Sequence, residues 1–76
     1  MAADTDRIDD ATLALLLLGL HDQGRAWKGF DWEVMNRLAE KGYIGNPRNK
    51  NKSVVFTDEG LKRSRELFTA LFGGEP

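Results

Sequence analysis

Apolar positions fall into four groups separated by polar or glycine-rich stretches. In the first, Ile8, Ala11, Leu15 and Leu18 recur at helical spacing, and Leu13, Leu16, Leu17 and Leu20 fill a second stripe beside them. The pattern predicts a helix over about Arg7–His21, with Asp6 as N-cap and Gly24 as the stop. Apolar side chains cover most of its circumference from Leu13 to Leu18. A helix of that kind is central in its domain or lies in a subunit interface.

The second group predicts a short turn from Arg25 and then a helix over about Trp32–Lys41. Asp31 is its N-cap, Phe30 and Met35 have the spacing of a hydrophobic staple, and Gly42 ends it in a left-handed conformation. Val34, Met35, Leu38 and Ala39 make the inward face. Glu33, Asn36, Arg37, Glu40 and Lys41 make the outward one. The third group predicts a hairpin: Tyr43–Ile44, a polar turn begun by Gly45-Asn46-Pro47, and a returning strand over Ser53–Phe56. Alternation puts Val54 and Phe56 on one face and Val55 on the other. The fourth predicts a helix over Asp58–Phe72, capped by Thr57 and closed by Gly73-Gly74. Its core face is Leu61, Phe68 and Phe72, with Leu67 and Leu71 adjoining. The ends, 1–5 and 73–76, are expected to fray.

This order of elements predicts a single α+β domain over 1–76, winged-helix-like, with about three main helices and a two-stranded β-hairpin wing. Leu38, Gly42, Tyr43 and Ile44, then Val54 to Leu61, resemble the recognition-helix-and-wing half of the bacterial MarR and PadR regulators. The chain as a whole resembles a family of small, uncharacterised bacterial winged-helix-like proteins. The residues carrying that likeness are Leu20-His21-Asp22, Arg25 to Trp32, Glu40-Lys41-Gly42 and Asn51-Lys52. The resemblance implies a fold and a bacterial origin, and no activity. One departure from the regulator pattern stands out. Only Gln23 to Phe30 separates the first helix from Asp31, space for one helical turn at most, whereas major-groove docking uses a full helix there.

Composition narrows the chemistry. With 76 residues, no cysteine and one histidine, disulfides, thiolate metal sites and cysteine nucleophiles are excluded. No catalytic residue, cofactor or metal site is expected. His21 beside Asp22 is no general-base pair, since neighbours on a helix diverge by about 100°. No apolar run is long enough for a bilayer, and the acidic start has the wrong sign for a secretory leader, so the expectation is a cytoplasmic protein with no membrane partner. A core this small, without a staple, suggests self-association. The expected homodimer interface is Leu13, Leu16, Leu17 and Leu20, with Trp27 and Trp32.

Charge is unevenly spread. The net charge is -1, but Arg25 to Lys52 holds seven basic and three acidic residues, a local +4. The nucleic-acid-binding candidates are therefore Arg25, Lys28, Arg48, Lys50 and Lys52, contacting DNA phosphates, and Arg37, whose guanidinium suits a base edge. Glu33 and Glu40 oppose base reading by the second helix, and Arg37 is expected to pair with them. Trp27, Phe30 and Trp32 offer either a platform for a partner or unpaired bases, or a cap on the core where a full second helix is missing. The core cap is the favoured expectation. The functional expectation is a non-enzymatic, regulator-like DNA-binding module, with a protein-interaction module as the alternative.

Overall fold

A computed structural model describes residues 4–21, 24–48 and 52–76. Its elements run α1 (Thr5–Leu16), a 3-10 turn (Leu17–Gly19), β1 (Leu20–His21), β2 (Arg25–Trp27), α2 (Trp32–Glu40), β3 (Ser53–Val55) and α3 (Asp58–Phe72). The strands form one antiparallel sheet in the order β1-β2-β3. The fold is α+β, an arrangement compatible with a winged helix.

Where the signals are local, the expected elements form. Asp31 accepts a hydrogen bond from Val34 N at 3.3 Å and starts α2 at Trp32. Its end is a Schellman motif: Gly42 takes φ +82°, its N–H donates to Ala39 O, and Tyr43 N–H donates to Leu38 O. Thr57 caps α3 through Gly60 N at 2.9 Å, and its hydroxyl donates to Gly42 O at 2.6 Å, tying the end of α2 to the start of α3. Gly60 is needed for close approach, because a Cβ there would overlap the Tyr43 carbonyl. The Gly-Tyr-Ile and Thr-Asp-Glu-Gly segments thus form one clamp. Val54 and Phe56 are buried and Val55 is exposed, as their alternation requires.

α1 and the sheet depart from expectation. The helix begins two residues earlier, with Asp4 Oδ1 accepting from Asp6 N and Arg7 N, so Asp4 and Thr5 are part of it. It ends at Leu16, and Leu20–His21 is strand because its backbone pairs with β2, at Leu20↔Ala26 and His21↔Arg25. The short turn expected from Arg25 is strand β2, paired to β3 at Arg25↔Val55, Ala26↔Val54 and Trp27↔Ser53. Tyr43–Ile44, expected as a wing strand, contributes one bridge, Ile44↔Phe56. The sheet therefore has three strands, and β2 occupies the middle.

The core is built from Leu13, Leu16, Val34, Met35, Leu38, Val54, Leu67 and Phe68 among others. α1 is central, packed against both α2 and α3. The Ser64 hydroxyl, fully buried, donates to Leu13 O at 2.6 Å where α1 and α3 cross. Leu13, Leu16 and Leu17 are thus consumed by the protomer's own core and are unavailable to a partner, which corrects the expected interface. Leu20 is partly buried against the same core. Leu71 and Phe72, expected on the core face of α3 or adjoining it, stand half exposed. Among the described residues no helix is long and apolar enough to cross a membrane.

Candidate nucleic-acid interface

The candidate cations divide into two groups. Arg37 belongs to a charge cluster between α1 and α2. Asp9 follows the same stripe as Leu13 and Leu16, so its side chain enters the core side of α1 and is 1% exposed. A buried carboxylate needs partners. Arg37 supplies them bidentately, with Nε to Oδ2 at 2.9 Å and Nη2 to Oδ1 at 2.8 Å. Lys41 Nζ donates to Asp9 Oδ2 at 2.9 Å and to Asp6 Oδ1 at 3.1 Å. Burial pushes the Asp9 carboxyl up, but the hydrogen bonds and charges of Arg37 and Lys41 together outweigh it and hold it below its ordinary value. Asp9 in return holds both cations above theirs, against the pull of burial. The expected pairing of Arg37 with Glu33 and Glu40 is corrected: its hydrogen-bond partner is a carboxylate 28 residues away. Two of the cations on α2 are therefore committed to holding α1.

The second group is spread along β2 and the turn beside its far end. Arg25 projects from β2 on the face opposite buried Ala26 and is exposed. At the other end of β2, Lys28 N–H donates to Lys52 O at 3.0 Å, and Lys28 Nζ donates to Pro47 O at 2.7 Å. These two bonds bring Lys28, Lys52 and the Pro47-Arg48 turn together. The turn itself is set by Asn46 Oδ1, which accepts from Arg48 N at 2.9 Å. Arg48 and Lys52 are exposed. Lys50 lies outside the described residues, as does Asp22. A groove of about 450 Å³ runs between α2 and this turn, lined by Asn36, Glu40, Ile44, Pro47 and Arg48 among others.

The aromatic residues do not cap the core. Trp27 is 55% exposed, Trp32 49%, and Phe30 also lies open, because β2 closes the core there with Ala26 instead. Trp27 stands on the outer sheet face beside Arg25 and stacks on His21, with ring centroids 4.0 Å apart and planes inclined by 22°. His21 was expected at a helix end and lies in a strand; nothing local signals that placement. Asp9 was legible in principle, as an acid spaced i, i+4, i+7 with Leu13 and Leu16. Among the described residues no cluster of three or more His, Asp or Glu could hold a metal.

Comparison with known proteins gives three findings. Residues 4–74 match the model of a family described as Domain of unknown function (DUF6429). The chain is 61% identical over 72 residues to the uncharacterized protein y4hR of Sinorhizobium fredii, covering 95% of this chain and 97% of that one. No solved structure matches.

Proposed function

The chain belongs to the DUF6429 family of domains of unknown function, and we propose that it is a non-enzymatic nucleic-acid-binding module, winged-helix-like and of the regulator type. One observation carries the reading. Arg25, Arg48 and Lys52 are exposed and form no ion pair among the described residues, while Arg37 and Lys41 are bound to Asp9. Arg25 stands on the outer sheet face, and Arg48 and Lys52 lie by the turn at the other end of β2. Lys50 belongs to the same loop by sequence. Such an arrangement suits phosphate contacts, which position a nucleic acid without reading its bases. Arg37 drops out of the set. On this reading the protein works in the cytoplasm and needs no cofactor.

The test is fluorescence anisotropy with DNA of random sequence across a salt series. Three phosphate contacts give a slope of log affinity against log salt of about -2.7 on a duplex. Arg48→Gln with Lys52→Gln flattens it by about 1.8 and weakens all sequences alike. No binding at low salt overturns the proposal.

A second reading, a protein-interaction or dimerisation module, is favoured by the exposure of Leu18, Leu71 and Phe72. Sedimentation separates it: a dimer that Leu71→Glu converts to monomer, with no nucleic-acid binding, supports this reading against the first.

A further inference from the structure

By the strand register, the outer face of the sheet presents His21, Arg25, Trp27, Ser53 and Val55. No carboxylate is among them. The imidazole is fixed from both nitrogens. Gly19 O can only accept, so Nδ1 carries the hydrogen in their 2.9 Å bond, and Nε2 pairs with the Ser53 hydroxyl at 3.1 Å. The Trp27 indole lies against that ring, and its edge abuts Gly19, where a Cβ would come within 3.2 Å of Cδ1. The indole is thus held in one orientation while about half of the residue stays in water. An aromatic ring ordered in advance loses little rotamer entropy when something binds to it.

We infer that Trp27 is a stacking platform for an unpaired base, so that the ligand class is single-stranded nucleic acid. The inference rests on the phosphate-contact reading above and names the substrate of that same surface. Three features carry it. Bases within a duplex already stack on their neighbours, whereas an unpaired base can give its face to an indole. Arg25 is two residues along the same strand face, about 6.6 Å from Trp27. A phosphate flanking a stacked base therefore meets an exposed guanidinium. Finally, α2 has little to offer a major groove: Glu33 and Glu40 are exposed and Arg37 is turned onto Asp9. The polar and cationic surroundings of Trp27 also differ from the apolar core of a protein interface.

The experiment uses a Trp32→Phe background, which leaves Trp27 as the sole tryptophan. The probes are an oligothymidylate of about ten nucleotides and a duplex of equal length. The single strand quenches the Trp27 emission saturably and binds more tightly than the duplex. Trp27→Leu weakens single-strand binding roughly tenfold, from the energy of one stacked base. It leaves duplex binding and the salt slope unchanged, because stacking releases no counterions. Trp27→Phe restores most of the lost affinity. Binding of the single strand without quenching, and without loss in Trp27→Leu, overturns stacking and leaves the phosphate reading standing. Absence of binding to either probe at low salt overturns both. Quenching by a polyglutamate peptide as strong as by the oligonucleotide overturns the inference in favour of an acidic protein partner.

Discussion

The two groups of cations have the same chemistry and opposite situations. Between α1 and α2, Arg37 and Lys41 converge on one buried carboxylate and hold two helices together. Arg25 on the outer sheet face, and Arg48 and Lys52 by the turn at the far end of β2, are exposed without an ion pair among the described residues. Local charge density does not separate the two groups, since all five residues contribute to the same +4 segment. What separates them is whether a carboxylate from another element reaches them. A count of basic residues overstates the surface available to an anion, here by two positions in α2.

The largest expected effect lies on the buried side. Asp9→Ala removes the acceptor of both cations and leaves a small void, so it costs about 3 kcal/mol by urea midpoint. A loss below about 1 kcal/mol would mean that α1 is held by apolar packing alone. The acid limb of stability follows from the same residue. The Asp9 pKa is lower in the folded chain than in the unfolded one. The stabilisation is therefore complete above the unfolded carboxylate value of about 3.9 and is lost as pH falls through the folded value. Urea midpoints of wild type and Asp9→Ala accordingly converge as the pH is lowered from 7 to 3. A gap that stays constant would show that the charge of Asp9 contributes nothing. The smallest effect on stability belongs to the exposed side: Arg48→Gln and Lys52→Gln each shift it by less than about 0.5 kcal/mol. Arg37→Gln gives the converse pattern. It lowers the urea midpoint and leaves the salt slope of nucleic-acid binding unchanged. A flattened slope in Arg37→Gln would place that guanidinium at the ligand and erase the distinction.

Legibility followed the range of the interactions. Asp31, Gly42, Thr57 and Gly73 act within a turn of their own positions, and the limits of α3 and the start of α2 were read from them directly. Leu17, Leu18 and Leu20 continue the apolar pattern of α1, and Gly19 is the one local sign that the helix gives way after Leu16. β2 was missed for a related reason: Arg-Ala-Trp is too short to show alternation, and it is strand because β1 and β3 flank it. The tryptophans were misplaced as core because the small residue Ala26, not a large ring, fills the inner face at that point.

The sequence by itself determined an α+β domain with two capped helices, an alternating strand and an uneven charge distribution. Each of these depends on backbone preferences or on side chains within about four positions of one another. The tertiary structure alone decided which leucines became core, that Leu20–His21 would pair as strand, and that Trp27 would rest on His21 beside exposed Arg25. It also decided which cations were neutralised, since Asp9 meets Arg37 and Lys41 only when α1 and α2 pack. The physical reason is common to all of these: burial and ion pairing depend on what the rest of the chain brings within about 4 Å, and spacing along the sequence does not carry that information.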